Sequence, residues 1–364
     1  MRAAVLRTPG EPLTIEEVTL APPKRGEIVV RVEAAGICHS DYHYMTGDIT
    51  CPLPAVLGHE GAGIVEEVGP DSSGRVSVGD RVALMWRPRC GECPACIAGN
   101  PVLCRFGPLQ ATTGGLPDGT SRLSVGDEKV HHFLGVSCFA DRVVVSERSV
   151  VPVPDGVPPQ IAAIAGCAVI TGVGAVFNAV GECAGRSLLI LGAGGVGLSA
   201  VMGARLSGAD PIVVVDIDPE KLELAQRLGA THTIDGRNGD VVEQVLAAVP
   251  EGADYAIEAI GRPQTLQQAF EALKPAGTLV AVGLGRVGET FSIPVNLLVQ
   301  RQKRIIGSLY GSANPLLDLP RIFQLYLSGR LPLDELMGAT YPLESVNQAY
   351  DDLRGAVGRG VIVP

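Results

Sequence analysis

Residues 187–216 read SLLILGAGGVGLSAVMGARLSGADPIVVVD, and this stretch decides the fold. An apolar run, Ser187–Leu191, leads into Gly192-Ala193-Gly194-Gly195-Val196-Gly197. A helical pattern begins near Gly195, and a second apolar run closes on Asp216. Strand, glycine turn, helix and strand form a parallel βαβ unit with a right-handed crossover. Gly192 makes the tight turn, Gly194 lets the backbone approach a pyrophosphate, and Gly197 lets the helix close on the strand. The helix N-terminus then faces the phosphates. An acid at the end of the second strand, here Asp216, is placed to bind the hydroxyls of an adenosine ribose, and its charge would repel a 2′-phosphate. The pattern therefore favours NAD over NADP. A glycine turn with an ordinary strand-end acid is the competing reading.

Working outward, the same rhythm continues through PIVVVD, the helical PEKLELAQRLG, the strand THTI, a helix near VVEQVLAAV, and the strands DYAIEAI, GTLVAVG and RIIGSLYG. Six apolar strands with intervening helices predict an α/β domain with a doubly wound parallel sheet, the Rossmann arrangement. Before about Pro158 the pattern differs. EIVVRVEAAG, GAGIVEEVG, DRVALM and DRVVVSE are short alternating segments broken by Gly, Pro and Asp, which predict an irregular β-domain. After Tyr310 a helix through LLDLPRIFQLYLSG precedes a short polar tail. Lacking a sheet of its own, the tail is expected to pack on the first domain. The expected division is 1–168 with 310–364, and 169–309.

The first domain carries Cys90, Cys93, Cys96 and Cys104 within RCGECPACIAGNPVLC. The two-residue gaps let neighbouring sulfurs converge on one zinc ion, and four thiolates leave no open position, so such a site is structural. It would hold the lobe 86–106, with free thiols or disulfides as the alternative. Further candidates are Cys38-His39-Ser40-Asp41-Tyr42-His43 after an apolar strand, Gly58-His59-Glu60-Gly61, and Cys167. Two thiolates and an imidazole, Cys38, Cys167 and His59, would leave a fourth zinc position open for water or an alcohol. Singly, a lone cysteine in an apolar run reads first as a core residue and a lone histidine as a surface or capping residue. His131 and His132 read as a solvated or packed pair, because no cysteine or acid pattern partners them.

Bulk properties narrow the class. With 364 residues, 46 % of them apolar, the chain can fill two cores. A net charge of −10 argues against a nucleic-acid or anionic-membrane partner. The start, MRAAVLRTPGEPLTIEEV, has no apolar signal region, and no uninterrupted apolar run is long enough to span a bilayer, so a cytoplasmic protein is expected. In that compartment nine cysteines read as metal ligands and core residues rather than a disulfide framework.

The strings GICHSDYHYMTGD, PAVLGHEGAGIVEEVG, the four-cysteine lobe, GCAVITGVGAV and LGAGGVGLSAVMGARLSGA occur in that order. Together they closely resemble the zinc-dependent medium-chain alcohol dehydrogenases over nearly the whole chain. The resemblance implies a GroES-like catalytic domain around a Rossmann domain, with NAD and two zinc ions per subunit. It assigns Cys38, His59 and Cys167 to the catalytic zinc, Asp41 to orienting His59, and Glu60 to a place just behind the metal. The alcohol's proton would leave by Ser40 and the cofactor ribose to His43 and solvent, while hydride goes to the nicotinamide. His39 would lie near the pyrophosphate, Lys221 at the adenosine ribose and Arg359 at the phosphates. Val282, Ser308 and Tyr310 would hold the nicotinamide amide through their backbones.

The same resemblance puts Trp86 and Ile49 in the substrate pocket. The segment from DGTSRL to HHFLGVSCFADRVV is similar to the longer, dimeric forms, which implies a homodimer, with a homotetramer as alternative. The implied substrate is a primary alcohol, aromatic or long-chain. A thiol-dependent formaldehyde dehydrogenase is the second reading. That branch uses an acid and an arginine where this chain has Ile49 and Pro108, although Asp48 and Arg105 lie close by in sequence. A non-enzymatic scaffold that binds zinc and NAD is the third, and it would have no need of Ser40 and His43.

Overall fold

The alternating segment EIVVRVEAAG becomes the strand Glu27–Gly36 at the centre of a seven-stranded sheet. Nearly all of its residues are buried, which suits a strand covered on both faces. On one side it pairs antiparallel with Glu60–Val68. On the other it pairs with Arg142–Ser146 along its first half and with Arg359–Val363 at its end. Thus the tail, read as polar and without a sheet, supplies two strands, Met337–Pro342 and Arg359–Val363, that extend this sheet. A second, six-stranded sheet runs through Thr14–Glu17, Arg2–Leu6, Ala55–Val56, Glu128–His132, Leu123–Val125 and Thr19–Leu20. Ile28, Val30, Val65, Leu84, Phe133, Phe139 and Ile362 build the main core here.

These features come from a computed structural model that describes residues 1–353 and 355–364. The chain divides into two units. One comprises Met1–Cys167, Asn314–Gly329 and Met337–Pro364; the other comprises Ala168–Ala313 and Arg330–Leu336. Arg330–Leu336 thus group with the second unit, although they follow the helix Pro315–Leu327, which belongs to the first.

The second unit contains the six parallel strands. Their spatial order is His232–Asp235, Ile212–Asp216, Leu188–Leu191, Ala253–Glu258, Leu273–Ala281 and Arg304–Gly307. The strand order therefore reverses at Leu188–Leu191, where a doubly wound sheet opens a crevice at its carboxyl end.

One continuous helical stretch, Pro159–Val180, is long and apolar enough to cross a membrane by length and composition. Of its most apolar 18-residue window, 89 % is buried inside the protein, as in a core helix. Within it Ala165–Val169 form a π-turn, a widening of the helix that often marks functional positions. Cys167 sits in this turn.

Candidate active site and metal centres

The register of the central sheet assembles the first cluster. Gly36 pairs with Glu60 on one side and Val361 on the other, so the chain leaves the strand at Cys38 between the starts of two neighbouring strands. Cys38 caps the helix His39–Thr46, its sulfur accepting the Ser40 N–H at 3.4 Å. A helix N-terminus favours the thiolate. His59 follows Gly58, whose backbone is left-handed (φ +90°) and where a Cβ would come within 2.8 Å of the Phe139 ring. Only glycine makes this turn, and it aims His59 inward. One ligand atom from each of Cys38, His59, Glu60 and Cys167 lies within 4.8 Å of all the others, and all four residues are buried.

Asp41, fully buried, organises the imidazole. Its Oδ1 accepts the Gly58 N–H at 3.1 Å and its Oδ2 lies 3.0 Å from His59 Nδ1. His59 Nε2 is buried and has no hydrogen-bond partner among the described residues. With Nδ1 given to a carboxylate, Nε2 is left as a ligand atom, the usual division of a metal-binding histidine. Two sulfurs and this nitrogen are the donor set of an open zinc site, and they fit that ion.

The cluster's protons tell the same story. The Cys38 thiol is held well below its usual range, chiefly by a hydrogen bond from Cys167 that outweighs burial. Cys167 is pushed up by that same bond and by burial, so the two sulfurs share a proton. Burial works against a charged His59, yet Asp41 holds the imidazole well above its ordinary value. A dication would displace such protons as it binds. Burial also raises the Glu60 carboxyl to about 7, although Arg359 opposes this.

Arg359, expected at the cofactor phosphates, is itself buried and donates to Glu60 Oε1. The structure thus gives it a carboxylate partner inside the first unit, because it opens the strand beside Gly36. Glu60 Oε2 and Arg359 Nε have no hydrogen-bond partner among the described residues.

The second cluster is the lobe. The sulfurs of Cys90, Cys93, Cys96 and Cys104 also lie within 4.8 Å of one another, and no cysteine among the described residues is in a disulfide. Backbone amides already point at sulfur: Cys90 N–H to Cys104 and Cys93 N–H to Cys90, both at 3.2 Å. Among the described residues, only Ala95 and Phe106 join the cysteines in the lobe's interior cluster. With so little carbon to bury, a metal is the natural centre of this lobe, and four thiols fit zinc.

In the second unit the glycine turn has the expected form. Gly192 has φ +99°, and a Cβ on Gly197 would strike the Gly192 carbonyl oxygen at 1.7 Å. A Cβ on Gly194 would meet nothing within 4 Å, so the protein itself does not require glycine there and the space is open to a ligand. The helix Gly195–Leu206 starts at this turn, with Val196 in its first turn. Asp216 is tied to the turn: its Oδ2 accepts the Ala193 N–H at 2.6 Å, and its Oδ1 accepts those of Ile217 and Asp218 at 2.8 and 3.0 Å. Lys221 Nζ lies 3.8 Å from Asp218. Val282 and Ser308 donate their N–H groups to the carbonyls of Glu258 and Ala281, both at 2.9 Å, and Tyr310 is buried with φ 54°.

Around His59 the structure gathers Trp86, named above as a pocket residue, and two rings that the sequence did not point to, Phe133 and Tyr44. Trp86 and Phe133 both approach His59 edge-on, at 6.0 and 5.9 Å, and Tyr44 stands edge-on to Phe133 at 4.7 Å. Ile49 is half-buried and its N–H donates to the His43 carbonyl. His39 is exposed and Ser40 half-buried. His131 and His132 pack: His132 is buried and its Nε2 accepts the Arg122 N–H, while His131 Nδ1 contacts the Thr113 carbonyl.

A closed cysteine lobe, an open two-sulfur, one-nitrogen cluster and a dinucleotide-type sheet together define a zinc-binding oxidoreductase. Residues 24–155 match the alcohol dehydrogenase GroES-like domain and residues 195–326 the zinc-binding dehydrogenase domain. The chain is 37 % identical over 366 residues to an NDMA-dependent alcohol dehydrogenase of Amycolatopsis methanolica, covering 100 % of this chain and 98 % of that one. Among solved structures, an alcohol dehydrogenase zinc-binding domain protein from Burkholderia ambifaria superposes with a TM-score of 0.93 at 38 % identity. The benzyl alcohol dehydrogenase of Acinetobacter calcoaceticus does so with 0.93 at 35 %; each comparison covers 100 % of this chain and 98 % of the other. The chain belongs to the zinc-dependent medium-chain alcohol dehydrogenases, and is an oxidoreductase of that family.

Proposed function

We propose that this chain reversibly oxidises a primary alcohol, preferentially an aromatic one, to its aldehyde with NAD. The observation that carries the reading is the buried convergence of Cys38, Cys167 and His59 with Nε2 left unpartnered. In this reading Cys38, His59 and Cys167 hold one zinc ion, and Cys90, Cys93, Cys96 and Cys104 a second, structural one. Zinc, when bound, supplies a Lewis acid that favours the deprotonated form of a hydroxyl, and NAD supplies the hydride acceptor. Ser40 takes up the hydroxyl proton and His43 passes it to solvent. Asp41 fixes the ring of His59, and Glu60 with Arg359 supplies charge behind the thiolate of Cys38.

NAD would be held by Gly192, Gly194, Gly195, Val196, Gly197, Asp216, Lys221, Val282, Ser308, Tyr310 and His39. The open space over Gly194 and the carboxylate of Asp216 support this choice of dinucleotide. The rings of Trp86, Phe133 and Tyr44, with Ile49, favour a flat apolar substrate. The benzyl alcohol dehydrogenase among the neighbours points the same way. The thiol-adduct reading has less support, since Asp48 faces His43 and Arg105 is paired with Glu92 on an exposed surface. We propose that the enzyme works in the cytoplasm as a homodimer.

The test is a panel of benzylic, long-chain and short alcohols, each with NAD or NADP and with or without a low-molecular-weight thiol, read as reduced cofactor formed. Benzylic alcohols with NAD and no thiol should react fastest. Activity only with formaldehyde plus a thiol would overturn the substrate assignment.

A further inference from the structure

The helix His39–Thr46 ends on Gly47, whose left-handed backbone (φ 81°) turns the chain back on itself. The Ile49 N–H then donates to the His43 carbonyl at 3.1 Å, closing the loop. This return brings Asp48 against the imidazole: its Oδ2 lies 3.2 Å from His43 Nδ1. The two side chains are only 19 % and 23 % exposed, so the contact is sheltered more than a surface pair. Asp48 has no part in the function proposed above.

An ionised carboxylate only accepts hydrogen bonds, so the hydrogen in this contact belongs to Nδ1. A neutral imidazole carries one hydrogen, and with Nδ1 holding it, Nε2 is the basic nitrogen. Asp41 and His59 stand in the same relation at 3.0 Å, where the carboxylate faces Nδ1 and Nε2 is left for the metal. The chain therefore uses the device twice, once for a ligand and once for a base.

We propose that Asp48 is a positioning residue for the proton path: it fixes His43 in the Nδ1–H tautomer and orients the ring, so that Nε2 accepts the proton leaving the alcohol. The inference rests on the reading of His43 as the outer base. When Nε2 takes the proton the ring is an imidazolium with both N–H groups donating, and loss of the Nε2 proton to water restores the starting tautomer.

The test uses the zinc-loaded full chain labelled with ¹⁵N-histidine, with His43→Gln to assign the His43 signals. At alkaline pH, two-bond ¹⁵N–¹H correlations should show Nδ1 protonated and Nε2 bare in the wild type. In Asp48→Asn the side-chain amide can donate to Nδ1 and shift the hydrogen to Nε2, giving a reversed or mixed pattern. Benzyl alcohol oxidation by Asp48→Asn should lose about tenfold or more in kcat with KM changed little, and Asp48→Glu should recover part of it. In a His43→Gln background Asp48→Asn should cost nothing further. An active wild type with Nε2 protonated, or an equal loss in the His43→Gln background, overturns the inference. A wild type with the Nδ1–H tautomer that oxidises no alcohol overturns the proposed function and the catalytic part of the inference together, while the hold of Asp48 on His43 stands.

Discussion

Changing Asp41 to Asn removes one charge from the centre of the site and alters almost no volume. Asp41 is completely buried, with Oδ1 on the Gly58 N–H at 3.1 Å and Oδ2 at 3.0 Å from His59 Nδ1. An asparagine must choose. If its carbonyl keeps Gly58, its NH2 faces Nδ1 and drives the ring hydrogen to Nε2, the nitrogen that should bind metal. Loss of such an outer partner costs about 10- to 100-fold in metal affinity, or about 1.4 to 2.7 kcal/mol. If the amide turns the other way, a buried NH2 meets the Gly58 N–H and the metal-free fold loses about 1 to 3 kcal/mol instead. The assay is a competitive chelator titration of the zinc-loaded variant beside its thermal unfolding. One zinc ion should become easier to remove while the ion in the cysteine lobe stays. Affinity within twofold of wild type together with unchanged thermal stability would refute the role given to Asp41.

Three further outcomes are expected. Cys93→Ser should lose one zinc ion by elemental analysis and lower the unfolding temperature, because the lobe has little interior besides sulfur and structural zinc contributes folding free energy directly. Asp216→Ser should raise the NADP-to-NAD ratio of kcat/KM by roughly tenfold, about 1.4 kcal/mol, and weaken NAD binding as well, since the carboxylate also anchors the Ala193 amide; steady-state kinetics with both cofactors decide it. His132 is held down at about 3 by burial and by the charge of Arg122, below the 6.5 of a free imidazole. The unfolded chain therefore binds a proton there that the native chain refuses, and stability falls as pH drops from about 6.5 toward 3. His132→Gln should flatten this part of the urea midpoint against pH, and parallel curves would count against it.

The parts of the molecule visible in the sequence are those built from neighbours. The glycine turn and Asp216 lie within one βαβ unit, and the four lobe cysteines within one short loop, so spacing alone carries their chemistry. The open cluster was harder, because its donors leave a strand end, a glycine turn and a π-turn that converge only through sheet register, as in Gly36 opposite Glu60. Arg359 meets Glu60 across 299 residues, and no local pattern announces the pair. Phe133 and Tyr44 were likewise hidden, since an aromatic residue in an apolar run reads as core until its neighbours are known. The tail reads as sheetless because Met337–Pro342, MGATYP, has no alternating or β-branched apolar run and ends in Pro, so nothing marks it as a strand before its partner Arg359–Val363 is in view.

The most direct test of the central claim pairs zinc content with alcohol-dependent NADH formation in the wild type and in Cys38→Ser. The account predicts two zinc ions per chain in the wild type. In the variant it predicts one ion, an intact fold by circular dichroism, and NADH formation from benzyl alcohol and NAD reduced to background. A wild type that binds a single zinc ion, or a Cys38→Ser variant that keeps its rate, would contradict it.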